Sequence, residues 1–235
     1  MQDAEVIAFT QGEDKHWWYR ERRAIIAKEV RGLRPGKAVE IGAGGGGNSL
    51  VLKELGWDVL ATEYTEAGVR IAKERGLNAM QADATQLPLD DGSQDLFLAF
   101  DVLEHIEDDQ RAAAEIFRVL RPGGTALIAV PCDMALWSAY DEASHHFRRY
   151  TRETLTELIS GAGLTIDSLR SWNVLLRPVV KMRRKTAAVD DTVGDVTAVS
   201  PVVNLGLGVI IKAERFLPVS SLPGVSLMMR AHRPA

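Results

Sequence analysis

Gly42 and Gly44 to Gly47 put five glycines into six positions, directly behind the short apolar run Lys37 to Ile41. Glycine accepts positive φ and admits a ligand where a Cβ would collide, and the backbone N–H groups at a helix start attract anions. A glycine run between a strand and a helix therefore suits a nucleotide-like ligand. Two carboxylates frame it. Glu40 lies just ahead, and Glu63, 21 residues after Gly42, ends the next apolar run, where a carboxylate can accept both hydroxyls of a ribose. Gly42, Gly44 and Gly47 also satisfy the dinucleotide spelling G-x-G-x-x-G, and a nicotinamide enzyme would want the same acid, so these residues alone leave the ligand open. Proton chemistry has its own candidates. His105, in "DVLEHIED", could take a proton from an acceptor or hydrogen-bond backbone on a pocket floor. Arg148 and Arg149, in "EASHHFRRYTRETL", could hold an anionic group or pair with nearby acids.

The elements that must position these residues alternate. "KAVEI", "WDVLAT", "NAMQA", "DLFLAF" and "TALIAV" read as strands; "NSLVLKEL", "EAGVRIAKER" and Asp109 to Leu120 read as helices, the last with Ala113, Ile116, Phe117 and Leu120 on one face and "RPGG" as its stop. Alternation at this spacing predicts a doubly wound α/β domain, a parallel sheet with helices on both faces. One domain over residues 1–235 is expected. Residues 1–36 form an N-terminal helical lid, 37–170 the ligand-binding core, and 171–235 the C-terminal strands with a helical insertion at 177–218, which falls between the late strands "LTIDSLRSW" and "GVSLMMRAH". Thr151 is placed to cap the helix that follows it.

The motif set narrows the ligand. Glu40, Gly42, Gly44 and Gly46 spell E-x-G-x-G-x-G, Asp83 stands in "QADATQLPLDDGSQD", and "FDVLEHIED" is followed by "VLRPGGTALIAVP". These motifs, in this order from Lys37 to about Leu169, resemble the class I S-adenosylmethionine-dependent methyltransferases. The resemblance implies a seven-stranded sheet, mostly parallel, whose last strand, near Gly224 to Arg230, inserts antiparallel. It implies S-adenosylmethionine as methyl donor and S-adenosylhomocysteine as product. The methionine end would lie near Glu40 and the glycine loop, the ribose on Glu63, and the adenine near Tyr64 and Ala84 with Asp83 at its edge. Asp101, which opens the fourth motif, is counted with the donor contacts. His146 is expected to point inward because H-x-R-R-Y-[ST] recurs here among such proteins. Asp101, Glu104, His105 and His146 also resemble the divalent-ion site of small-RNA 2′-O-methyltransferases and ubiquinone-ring methyltransferases, with the shorter Asp101 where those carry glutamate; no metal site is assigned on that basis. "HWWYRERR" looks like the lid helix of many members, with His16, Trp17, Tyr19 and Arg23 facing the acceptor.

Composition bounds the partners. A net charge of -4 and pI near 5.8 argue against general attraction to nucleic acid, as does the lack of an Asn/Asp-Pro-Pro-Tyr type motif after strand four. The lone Cys132 fits a reducing cytoplasm, and no export signal or membrane span is expected. The insertion carries the basic cluster Lys181 to Lys185, the acidic stretch Asp190 to Asp195 and the uncharged run Val196 to Ile211. It reads either as a solvated face beside a buried lid or as a surface touching lipid headgroups. The expected activity is methyl transfer to a small-molecule acceptor, foremost an oxygen, by in-line displacement with His105 or His146 as base. N-methylation and metal-assisted O-methylation are the alternatives, and a nicotinamide-dependent oxidoreductase or a binding-only protein the competing classes.

Overall fold

The computed structural model describes residues 6, 7, 10, 12–186 and 200–235. Its centre is a sheet of seven strands: β1 (Lys37–Ile41), β2 (Asp58–Glu63), β3 (Asn78–Gln81), β4 (Gln94–Phe100), β5 (Leu120–Pro131), β6 (Thr165–Trp172) and β7 (Ser226–His232), in the order β3-β2-β1-β4-β5-β7-β6. The pairings from β3 through β5 are parallel, and β7 runs antiparallel to both β5 and β6. Helices α1 (Trp17–Glu29), α2 (Gly47–Glu54), α3 (Glu66–Glu74), α4 (Asp109–Val119), α5 (Ala139–Ala143), α6 (Arg152–Gly161), α7 (Arg177–Thr186) and α8 (Pro201–Glu214) connect and cover them.

Alternation along each strand builds two cores. Phe97 and Ala99 face one side, with Ile116 of α4 and Leu155 and Ile159 of α6; Leu96 and Leu98 face the other, with Ile26 of α1, Leu52 of α2 and Ile211 of α8. Both faces of β4 are buried, which is why it reads as an unbroken apolar run. The helix starts carry their caps: Thr65 Oγ1 accepts from the Gly68 N–H at 3.2 Å, and Thr151 Oγ1 from the Thr154 N–H at 3.2 Å.

One expectation needs revision. "RPGG" does not end α4 as a turn; it lies inside β5, where the register jumps from Gln94↔Leu120 to Leu96↔Thr125. The extra residues bulge out of the ladder, and Gly123 at φ 73 absorbs the distortion. The insertion before the last strand is helical, as expected: it holds α7 and α8, and Pro201 sits in the first turn behind the Ser200 cap, where its missing N–H costs nothing. The acidic stretch Asp190 to Asp195, and the run from Val196 to Val199, lie outside the described residues.

Candidate active site

The sheet order reverses at β1, which is flanked by β2 and β4, and the loops at the carboxyl ends of those strands open the crevice where α/β proteins take their ligands. Three glycines line it in the left-handed region: Gly42, Gly44 and Gly46 at φ 59, 53 and 82. A Cβ on Gly42 would fall 2.6 Å from Val102, and one on Gly46 would strike Leu77, whereas one on Gly44 would meet nothing within 4 Å. The protein's own packing requires the first and third glycines; the second leaves a gap in the loop for something else.

The carboxylates around the loop are engaged. Buried Glu40 accepts from Asn48 Nδ2 at 2.8 Å and Ser49 Oγ at 2.5 Å, and burial raises its pKa against those hydrogen bonds. Glu63 Oε2 accepts the Gly44 N–H at 2.8 Å, while Oε1 accepts from the N–H and hydroxyl of Thr65 at 3.0 and 3.1 Å. This carboxylate ties the end of β2 to the glycine loop. Tyr64 beside it is 73% exposed. Exposed Asp83 accepts from Thr85 N–H and Oγ1 at 2.8 and 2.7 Å through Oδ1; these two bonds hold its pKa below the usual range. Ala84 is half-buried against the central core.

The chemistry-bearing cluster forms between β4 and the loop after β5. Phe147 N–H donates to the Glu104 carbonyl at 2.8 Å, which draws the second segment over the first. His105 and His146 meet edge to face, with ring centres 4.6 Å apart. His146 Nδ1 lies 2.9 Å from Asp141 Oδ1, and Asp141 is fully buried between Arg149 Nε at 2.8 Å and Arg184 Nη1 at 2.9 Å. Burial works to raise the Asp141 pKa, but the His146 hydrogen bond and the two guanidinium charges outweigh it and hold the carboxyl down at about 2. An ionised Asp141 accepts a hydrogen bond from the Nδ1–H, which leaves the other ring nitrogen, Nε2, as the basic one. Burial, then the neighbouring His146, push the His105 imidazole down to about 3, so it is neutral at neutral pH. Burial, then Asp101, raise the Glu104 carboxyl.

Asp101, Glu104 and His105 do not share a helical face. Asp101 is left-handed at φ 54, and only Leu103–His105 forms a short 3-10 turn. Asp101 turns instead to Arg22 of α1, whose Nη1 donates to it at 2.9 Å. Glu104, His105 and His146 do converge, each offering a ligand atom within 4.8 Å of the others, and Glu104 Oε2 and His105 Nδ1 are buried with no hydrogen-bond partner among the described residues.

The lid helix divides its residues between two tasks. Tyr19 faces Arg22, whose guanidinium lies 5.2 Å from the Tyr19 ring centre and 4.5 Å from that of Trp18. Trp18 stacks on Trp172 at 5.6 Å. His16, Trp17 and Arg23, expected on the acceptor side, serve the lid itself. His16 caps α1 through Nδ1, Trp17 donates its N–H to Asn204 of α8 at 2.8 Å, and Arg23 Nη2 donates to the Glu13 carbonyl at 2.9 Å. Arg148 goes to Asp109 and the Glu107 carbonyl at the start of α4, each at 2.6 Å, and buried Arg149 to Asp141 and the Cys132 carbonyl. Residues that the sequence did not single out matter here. Arg22, Tyr140, Asp141 and Arg184 line the cluster, and Thr10 and Glu13 cross the glycine loop, where Arg75 binds Glu13 and the Gly45 carbonyl. Asp141 had one signal: Ser138-x-x-Asp141 is a capping-box spelling, and Asp141 Oδ2 does accept from the Ser138 N–H at 3.0 Å.

Comparison with known proteins agrees with this architecture. The family model described as a methyltransferase domain matches residues 39–128. A Mycolicibacterium smegmatis protein named "Probable S-adenosylmethionine-dependent methyltransferase" is 27% identical over 158 residues, covering 66% of this chain and 62% of its own. The demethylmenaquinone methyltransferase of Beutenbergia cavernae is 34% identical over 168 residues, covering 68% of this chain and 67% of its own. The chain spans 49% to 62% of the length of four other such relatives. The same fold is seen in phosphoethanolamine N-methyltransferase 2 of Haemonchus contortus, solved with S-adenosyl-L-methionine, at a TM-score of 0.64 and 19% identity over 92% of this chain and 53% of that one. With the glycine loop, the acid at the end of β2 and the antiparallel β7 in their expected places, the chain belongs to the class I S-adenosylmethionine-dependent methyltransferases.

Proposed function

We propose that this chain methylates a hydroxyl of a small-molecule acceptor, with His146 as general base held by Asp141. The observation that carries the proposal is the 2.9 Å contact between His146 Nδ1 and an Asp141 kept ionised by Arg149 and Arg184. The family's donor supplies an electrophilic methyl group on a sulfonium. The gap at Gly44 and the exposed Tyr64 fit such a ligand, with Glu40 and the glycine loop at its methionine end, Glu63 at the ribose, Tyr64, Ala84 and Asp83 around the adenine, and Asp101 near the reacting end. His146 Nε2 removes the proton of the acceptor hydroxyl as the oxygen gains its methyl. Asp141 fixes the ring and stabilises the imidazolium that results. Tyr19, Arg22 and Tyr140 close the cluster and keep water out. Relatives named for demethylmenaquinone support a small-molecule acceptor.

Substituting His146→Gln is expected to slow turnover of a hydroxyl acceptor by about 10²–10⁴-fold while S-adenosylhomocysteine still binds. Full turnover in that variant, or transfer to amines but to no hydroxyl in an acceptor panel, would overturn the proposal.

A second reading has its own observation, the convergence of Glu104, His105 and His146 with two unpartnered buried ligand atoms. Those residues could hold a divalent ion, which would polarise the acceptor oxygen. Activity that is lost to a chelator and restored by magnesium or manganese favours this second reading; activity indifferent to chelation favours His146 as base.

A further inference from the structure

We infer that α7 is a splint for the loop that carries the base, with Arg184 as the positioning residue that fixes Asp141 behind His146. The inference rests on His146 acting as base and adds what holds that base in place. The loop leaves β5 at Asp133, makes one 3-10 turn at Met134–Leu136 and returns through α5 to Asp141. Its first residue is strained, since Asp133 stands at φ 69 in the region that favours glycine. The helix α7 crosses the whole loop. Arg177 and Arg184, seven residues apart, fall on one helical face about two turns from each other. Arg177 Nη2 donates to Asp133 Oδ2, while Arg184 Nη1 donates to Asp141 Oδ2 at 2.9 Å and to the Leu136 carbonyl at 2.8 Å. One face of α7 thus clamps the beginning, the middle and the end of the loop. The clamp has its own anchor: buried Glu214 of α8 accepts the Leu175 N–H at 3.1 Å, just ahead of α7.

The other partners of Asp141 are local. Ser138, His146 and Arg149 reach it from three, five and eight residues away, and Arg184 from 43. Among the described residues, Arg184 alone ties this carboxylate to a distant element. The two oxygens divide the work. Oδ1 takes His146 and Arg149, and Oδ2 takes Arg184 with the Ser138 N–H and hydroxyl at 3.0 and 3.3 Å. A carboxylate pinned at both oxygens cannot swing, so the imidazole bonded to it keeps its direction. Without Arg184, Oδ2 retains only the neutral Ser138 donors and the Leu136 carbonyl loses its guanidinium. A shift of about 1 Å in a positioned base can cost ~10²-fold in rate. Arg184 also lies 5.2 Å from the ring centre of Tyr140, so it steadies a wall of the cluster as well. Donor binding is a separate matter. Glu40 and Glu63 belong to β1 and β2, and in the sheet β4, β5 and β7 stand between β1 and β6, the strand that leads into α7. The splint therefore acts on turnover and leaves the donor's seat alone.

The test compares the full chain with Arg184→Ala, Arg184→Lys and Arg177→Ala in turnover of a hydroxyl acceptor, in S-adenosylhomocysteine affinity and in the proton NMR signal of the His146 Nδ1–H. Arg184→Ala is expected to lower kcat by about 10–100-fold while KM and S-adenosylhomocysteine affinity stay at the parent's values. Arg177→Ala should lose less, and Arg184→Lys should fall between the parent and Arg184→Ala, because an ammonium keeps the charge but cannot hold Asp141 and the Leu136 carbonyl together. Methylguanidinium added to the buffer should restore part of the rate of Arg184→Ala and none of that of His146→Gln. The Nδ1–H signal, which needs no acceptor, should move or broaden in Arg184→Ala; if that variant does not fold, the same readings on Arg184→Lys decide. Full kcat in Arg184→Ala, an unmoved Nδ1–H signal, or a loss of kcat matched by an equal loss of S-adenosylhomocysteine affinity would overturn the inference. The two proposals fail separately. Full turnover in His146→Gln removes the base itself, whereas a slow His146→Gln beside a fully active Arg184→Ala removes only the splint.

Discussion

His16 shows how one side chain can make the lid respond to pH. Its Nδ1 accepts the Trp18 N–H at 3.3 Å, and Nε2 is buried without a partner among the described residues. Burial lowers its pKa from 6.5, so the folded protein resists a proton that the unfolded chain accepts. The stability contributed by neutral His16 is therefore fully present above pH 6.5 and is lost as the pH falls below it, because a protonated Nδ1 can no longer accept. His16→Asn keeps a capping oxygen and removes the titration. Urea melts at about pH 7.5 and about pH 5 should show a smaller acid loss for the variant than for the parent, the difference being a fraction of ~1.4 kcal/mol per pH unit. Equal losses in the two proteins would rule out this role. The sequence marked His16 as a candidate for the acceptor side because aromatic clustering is visible in one dimension and capping geometry is not. His146 was legible by its motif, but its partner Asp141 was not, since a carboxylate five residues upstream gains meaning only once α5 turns it back onto the ring.

Individual elements were legible where periodicity decided them. The five parallel strands and the helices between them follow directly from apolar runs and their breaks, whereas "RPGG" misled because a bulge within β5 and a turn ahead of it use the same residues. The α1–α8 pairing was invisible, as nothing in either helix names the other. Asn204 makes that pairing specific. Its Oδ1 accepts the Trp17 N–H at 2.8 Å and its Nδ2 donates to the Lys15 carbonyl at 3.0 Å, so a side chain of α8 satisfies the first turn of α1. Asn204→Ala should cost about 1 kcal/mol and raise hydrogen exchange at Trp17 to Tyr19 while β4 and β5 stay protected. Unchanged exchange at those amides would mean that packing around Ile211 alone holds the lid.

At the scale of the whole molecule, binding of the spent donor should appear as stability. S-adenosylhomocysteine at about one hundred times its dissociation constant is expected to add ~2.7 kcal/mol, which raises the melting temperature of a domain this size by roughly 5–10 °C. A nicotinamide dinucleotide at the same concentration should leave it unmoved; the reverse result would contradict the donor assignment. One further consequence lies in the position of β7. It follows every other described strand in the chain, yet it sits between β5 and β6, and among the described residues β6 pairs with no other strand. While the ribosome is still adding the residues ahead of Ser226, β5 and β6 each present a raw edge with no neighbour. The nascent chain must pass through a stage exposed to stray strand pairing, and only the arrival of β7 seals it.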